Sequence, residues 1–188
     1  MSLERLKKSL EKAKVMRRGK YKYFIHPLTD SIPPIEPALL KQVCEKIIQV
    51  ADLDSDYILT MEAMGIHVST LTGYLADLPV NIIRKRPYGL EGEVQLKQET
   101  GYGRSKMYLN NVEKGDIVTV IDAVISTGST LTATLDALVE KGAIVKDVIC
   151  VIERGGGVKK VAENTGFHVK TLAKIEVGEK VKILSLID

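Results

Sequence analysis

The sequence predicts an α/β fold: a doubly wound, mostly parallel sheet with helices on both faces, in one domain spanning residues 1–188. Three observations lead there. The strand-like runs "DYILT", "VNIIR", "DIVTVID", "VKDVICVI" and "HVKTLAKI" alternate with segments of helical periodicity, as successive βα units do. Several of those runs are nearly all apolar, as parallel strands covered on both faces must be. One connection, from residue 85 to residue 115, is far longer than the others and rich in glycine and cations. A connection of that length in a compact domain is usually either functional or disordered.

In chain order, Leu3, Leu6 and Leu10 recur at helical spacing amid Lys and Glu, which predicts an amphipathic helix over residues 3–14 with a solvated outer face. "KYKYFI" reads as a short strand, and the proline-rich "HPLTDSIPPIEP" as a loop entering a helix over residues 36–50. In the segment 129–141, Leu131, Leu135, Leu138 and Val139 form one stripe, and Gly142 stands where a helix C-cap belongs. Within the long connection, "EVQLKQE" and "SKMYLN" alternate like two paired strands. They predict a hairpin-like flexible lid, residues 87–104, whose tip closes over a ligand.

Composition bounds the function. With 188 residues, 45% hydrophobic and 27% charged, the chain is large enough to bury one core. Its 27 basic and 24 acidic residues leave a formal charge of only +3, which argues against a nucleic-acid partner. Cys44 and Cys150 sit far apart in apolar surroundings, the mark of buried thiols in a reducing compartment. The apolar run Val148 to Ile152 is too short to span a bilayer, and "MSLERLKKSLEKAK" has no signal core. The expectation is a cytoplasmic protein that makes no membrane contact.

The chemistry concentrates in "VTVIDAVISTGSTLTA". An apolar strand runs into Asp122, and Ser126, Thr127, Gly128, Ser129 and Thr130 then open a helix. In open α/β sheets, ligands bind at the carboxyl ends of the strands. Backbone N–H groups at such a turn, with the helix dipole behind them, make an anion nest. A carboxylate just ahead of the nest would be repelled by the phosphate itself. Asp122 suits sugar hydroxyls or a metal hydration shell instead, and a ribose 5-phosphate satisfies both halves. A second reading stays open here: these residues simply cap the helix that follows. The Walker lysine is absent.

"VTVIDAVISTGST" resembles the diphosphoribosyl-binding motif of type I phosphoribosyltransferases. "TMEAMGI" looks like their pyrophosphate loop, "IIRKRPYGLEGE" like the start of the lid in purine enzymes, and "FIHPLTD" like the segment beside the base in adenine enzymes. Together these pieces cover residues 20–155. As a whole-chain pattern the sequence is most similar to the archaeal hypoxanthine/guanine phosphoribosyltransferases, which share the adenine enzymes' fold. The resemblance implies transfer of a phosphoribosyl group from its diphosphate to a purine base, with Mg²⁺, in a homodimer whose partners are small-molecule substrates.

By the same resemblance, Asp122, Ala123, Ser126, Thr127, Gly128, Ser129 and Thr130 bind the phosphoribosyl group, and Asp122 also faces the metal. Glu62, Ala63, Met64 and Gly65, with Arg84, Lys85 and Arg86, hold the pyrophosphate. Backbone N–H groups and cations there would neutralise the leaving charge. Phe24 and Ile25 wall the base, although core packing explains them equally well. Tyr88 reads as a lid anchor or a ligand contact.

The chain also departs from the pattern. Ala123 stands where the motif has a second carboxylate, and Met64 where many adenine enzymes have Arg. Gly101-Tyr102-Gly103 replaces a Glu-Tyr-Gly segment, with Glu99 out of register. Ser126 replaces the acid of other hypoxanthine/guanine enzymes. No general acid or base is assigned, and His26, His67 and His168 show no metal-ligand spacing. Restoring an Asp at 123 is expected to strengthen binding. The rival reading is a non-catalytic sensor of phosphoribosyl diphosphate or a nucleotide, which Ala123 and Met64 favour.

Overall fold

The computed structural model describes residues 2–19, 21–100 and 103–187. Along the chain run α1 (Glu4–Glu11), β1 (Lys14–Arg18), β2 (Tyr21–Ile25), α2 (Pro27–Asp30), α3 (Pro37–Val50), β3 (Tyr57–Met61), α4 (Ile66–Ala76), β4 (Val80–Ile83), β5 (Val94–Thr100) and β6 (Gly103–Leu109). β7 (Ile117–Ile125), α5 (Ser129–Lys141), β8 (Ile144–Arg154), α6 (Gly157–Thr165), β9 (Lys170–Val177) and β10 (Val181–Leu186) complete it. The central sheet has the order β10-β9-β8-β7-β3-β4. All its pairs are parallel except β9 with β10, so the doubly wound, mostly parallel fold is what the chain adopts.

Alternation along the central strands feeds two cores. Ile121, Ile149 and Val151 join Leu6 and Leu10 of α1 and Val43 and Ile47 of α3 on one face. Val118, Val120, Val148 and Cys150 join Leu131, Leu135 and Leu138 of α5 on the other. Strands loaded on both faces therefore read as continuous apolar runs. Each fully buried Leu or Ile contributes about 1.5–3 kcal/mol. Cys44 and Cys150 are both buried free thiols.

The N-terminal region differs from its sequence reading. The helix stops at Glu11, and "KVMRR" pairs antiparallel with "YKYFI", Val15 against Phe24, around a turn in which Gly19 takes a positive φ of 62°. A two-stranded hairpin so rich in Lys, Arg and Tyr has no strong hydrophobic alternation to betray it. α1 is also no mere surface helix, because Leu6 and Leu10 are fully buried. α5 ends at Gly142 with φ 78°, as the C-cap signal foretold.

Candidate functional site

Pairing of β3 with β7 ends at Leu59 opposite Val120, while β3 stays paired with β4 as far as Met61 opposite Ile83. The chain places β4 on one side of β3 and β7 on the other. This is the switch point at which an open α/β sheet parts into a crevice. Asp122 lies two residues beyond the last β3–β7 pair, still in register with Cys150 of β8. It does not end its strand, since β7 continues to Ile125. What opens the crevice beside it is the departure of β3.

The Asp122 carboxylate accepts from the Ala123 N–H at 2.7 Å. Burial pushes its pKa up to about 7, and that N–H pulls the other way. Across the crevice, a Cβ on Gly65 would stand 2.9 Å from Asp122 Oδ1 and 2.1 Å from Thr60 Oγ1. Only a residue without a side chain lets the 62–65 loop come this close. Thr60 Oγ1 is buried there and finds no hydrogen-bond partner among the described residues.

The 62–65 loop joins β3 to α4 and contains a cis peptide between Glu62 and Ala63. The Glu62 N–H donates to Ile83 O at 3.0 Å. The Glu62 carboxylate accepts from the Lys85 N–H at 3.0 Å and pairs with Arg84 Nε at 3.0 Å. These contacts, the Lys85 N–H foremost, hold the Glu62 carboxyl below its ordinary range. The side chains of Glu62 and Arg84 thus clamp each other, where Arg84 was expected to neutralise pyrophosphate and Glu62 to offer it a backbone N–H. What the loop offers an anion is the backbone of residues 63–65, because the Glu62 N–H is spent on Ile83 O. Met64 is 37% exposed. Lys85 and Arg86 are exposed, and the Arg86 guanidinium lies 5.2 Å from the centroid of the Tyr88 ring.

On the far side of the crevice, Gly128 adopts φ 82° and caps α5 with no side-chain hydrogen bond. A Cβ on Gly128 would meet Gly157 O at 2.8 Å, and one on Gly157 would meet Ser126 O at 2.5 Å. The two loops therefore pack backbone on backbone. Thr127 Oγ1 lies 3.1 Å from Ser129 Oγ and accepts weakly from the Ser129 N–H at 3.4 Å. Asp122 takes no part in capping α5, so the capping alternative fails for the residue that most needed explaining. The nest of 126–130 remains a helix N-terminus with hydroxyls gathered around it.

Three expected site residues are placed otherwise. Ala123 is 0% exposed within the α1/α3-side core, so only its N–H serves the crevice. A carboxylate at 123 would enter that apolar core, and the expected benefit of Ala123→Asp does not survive. Phe24 and Ile25, adjacent on β2, point to opposite faces. Phe24 is 2% exposed, with the Arg154 guanidinium 5.9 Å from its ring centroid. Ile25 lines a separate cleft of about 670 Å³ against α1 and Pro33. One base cannot touch both, and Phe24 belongs to the α1/α3-side core, as its core-packing reading has it, with Arg154 at the end of β8 against its ring. Arg154 is a residue the sequence reading passed over. The signal was "ERGGG", a cation at a strand end followed by the glycines that meet Ser126.

His26 is structural. Its Nδ1 accepts from the Leu28 N–H at 3.2 Å, so in the neutral ring Nε2 carries the proton and donates to Ser9 Oγ at 2.8 Å. Burial lowers its pKa to about 4.

The expected lid is a β5–β6 hairpin, with Leu96 opposite Met107. Its root is tied down: the Glu93 carboxylate accepts from the Tyr88 N–H at 2.8 Å and from Asn110 Nδ2 at 2.9 Å. Lys141 Nζ donates to Gly92 O at 2.6 Å. Leu96 and Met107 are buried in the α5-side core. Leu96 and Met107 thus dock the hairpin on α5, while residues 87–92 stay exposed. Gly101 and Tyr102 lie outside the described residues.

Among the described residues no group of three His, Cys, Asp or Glu side chains is placed to hold a metal, and no helix is long and apolar enough to cross a membrane.

No family model matches the chain. A hypoxanthine/guanine phosphoribosyltransferase of Methanothermococcus okinawensis is 50% identical over 180 residues, covering 95% of this chain and 98% of that protein. One of Methanocaldococcus infernus is 49% identical over 92% of this chain and 95% of that protein. Among solved structures, the adenine phosphoribosyltransferase of Thermoanaerobacter pseudethanolicus superposes with a TM-score of 0.75 at 20% identity, over 92% of this chain and 99% of that one. The enzyme of Leishmania tarentolae gives 0.73 at 16% identity, over 93% and 88%. At these identities the solved structures speak for the fold alone.

Proposed function

The chain belongs to the hypoxanthine/guanine phosphoribosyltransferase family, and from that premise we propose that it joins hypoxanthine or guanine to phosphoribosyl diphosphate, releasing the nucleoside monophosphate and pyrophosphate. It is a purine phosphoribosyltransferase in fold and kinship. The base it prefers, its metal, its assembly and its compartment belong to the proposal.

The observation that supports it is the convergence on one crevice of a carboxylate, a glycine-dependent backbone loop and a helix N-terminus. The 126–130 nest takes the 5′-phosphate, Asp122 accepts from ribose hydroxyls, and the backbone of 63–65 receives the pyrophosphate, with Lys85 and Arg86 near by. Displacement at C1′ breaks the bond to the diphosphate oxygen and forms one to the base nitrogen, the base losing its imidazole proton to solvent, through an oxocarbenium-like state that good alignment favours.

Mg²⁺ fits this donor set in a limited way. It keeps most of its waters and binds through one or two carboxylates plus substrate phosphates, which suits Asp122 beside an incoming diphosphate. Bound there, it would neutralise charge on the leaving pyrophosphate. A homodimer and a cytoplasmic location complete the proposal. The rival reading of a non-catalytic sensor draws no support from the relatives, whose names are those of transferases. The test is product formation from each purine base with phosphoribosyl diphosphate and Mg²⁺. Nucleoside monophosphate from hypoxanthine or guanine is expected, and binding without turnover on any base would overturn the proposal.

A further inference from the structure

The relatives act by name on hypoxanthine and guanine, while the fold neighbours are adenine enzymes. The fold therefore leaves the choice of base to individual side chains. Arg154 is the last residue of β8, held in register opposite Ile175 of β9. Its Nη2 donates to Lys22 O at 2.5 Å, and its guanidinium faces the Phe24 ring at 5.9 Å. It spans from the sheet to the β1–β2 hairpin and borders the glycines that press on Ser126. The 126–130 nest and the buried Phe24 ring are thus both its neighbours.

Resting on the transferase reading above, we infer that Arg154 determines base specificity by donating to O6 and N7 of a 6-oxopurine. A guanidinium carries five donors and no acceptor. The O6/N7 edge of hypoxanthine or guanine presents two acceptors, spaced for the forked contact that arginine makes with guanine elsewhere. Adenine presents N7 beside an amino donor, which would leave one guanidinium N–H and the amino group facing each other unpaired. O6 accepts throughout, and N7 accepts once the imidazole proton of the base has passed to solvent, as it must when N9 bonds to C1′; a cation beside that edge favours the loss. The contacts to Lys22 O and Phe24 pre-orient the fork and limit the side-chain freedom lost on binding.

The test compares kcat/KM for hypoxanthine, guanine and adenine in the wild-type chain, Arg154→Leu and Arg154→Lys, with the inhibition constant of adenine read where its transfer is slow. Loss of a charge-assisted contact is expected to lower kcat/KM for both oxopurines by roughly 10- to 100-fold in Arg154→Leu. Arg154→Lys should fall between, and adenine should be used or bound as well as before or better. Equal losses on all three bases would make Arg154 only a tether between β8 and the hairpin and would overturn the inference, as would no loss at all. A wild-type chain that transfers to no purine would instead overturn the transferase reading, and this inference with it.

Discussion

Arg84 Nε lies 3.0 Å from Glu62 Oε2, joining the ends of β3 and β4 beneath the root of the lid. An ion pair as accessible as this contributes little to stability, roughly 0.2–1 kcal/mol. Its consequence is geometric, since the same carboxylate also receives the Lys85 N–H. A double-mutant cycle on Glu62→Gln and Arg84→Gln, read by chemical denaturation, is expected to give a coupling energy within that range and a larger effect on KM for the diphosphate than on the Tm. Strict additivity in both readouts would show the clamp to be idle.

Gly65→Ala tests the close approach across the crevice. Its Cβ would fall 2.1 Å from Thr60 Oγ1 and 2.9 Å from Asp122 Oδ1, so the loop or the carboxylate must shift. Displacement of a reacting group by about 1 Å costs on the order of 100-fold in rate, and a loss of at least tenfold in turnover is expected with the fold retained. Adding Thr60→Ala removes the nearest obstacle and should restore part of it. Full activity in Gly65→Ala would remove the loop from the site.

Ala123→Asp places a carboxylate in an apolar core where residue 123 is 0% exposed. Burying an unpaired charge costs several kcal/mol, or the group takes up a proton instead. Its folded pKa then lies above its unfolded value, so stability is retained at acid pH and lost as pH rises. The variant is expected to melt well below the wild type, with a wider gap at pH 8 than at pH 5. An unchanged Tm with tighter diphosphate binding would restore the two-carboxylate view of the site.

His26 gives the chain an acid limit. Its folded pKa of about 4 lies below the ordinary 6.5, so the unfolded chain binds more protons between those values and stability falls as pH drops through that window. The full shift corresponds to about 3 kcal/mol. A proton on Nδ1 also ejects the Leu28 N–H it accepts. His26→Asn, which keeps a cap acceptor, is expected to flatten the stability profile between pH 6.5 and 4. An identical profile in both proteins would assign the acid limit elsewhere.

The parallel sheet, α3 and α5 were legible because the central strands are nearly all apolar, prolines lead into α3, and α5 has a stripe with Gly142 as its stop. β1 and β10 were not. "KVMRR" and "VKILSL" are edge or hairpin strands whose partners, not their own periodicity, define them. At the site, spacing located the loops but not the side-chain directions. Asp122 and Ala123 are neighbours in sequence and lie on opposite faces of β7, as Phe24 and Ile25 do on β2. Glu62 was read as part of an anion loop, and only the fold reveals that it spends its charge on Arg84. Arg154 gained its meaning from Phe24 and Lys22, far from it in sequence.

The central claim is that transfer occurs in the β3/β7 crevice with Asp122 as its carboxylate. It is tested most directly by single-turnover formation of nucleoside monophosphate from hypoxanthine or guanine, comparing the wild-type chain with Asp122→Asn at saturating phosphoribosyl diphosphate and Mg²⁺. Losing a charged acceptor for the ribose hydroxyls is expected to slow Asp122→Asn by roughly 10- to 100-fold while its Tm holds or rises. The rise would follow from removing a carboxylate whose burial pushes its pKa up to about 7. Equal rates in the two proteins would place the chemistry outside this crevice and contradict the account.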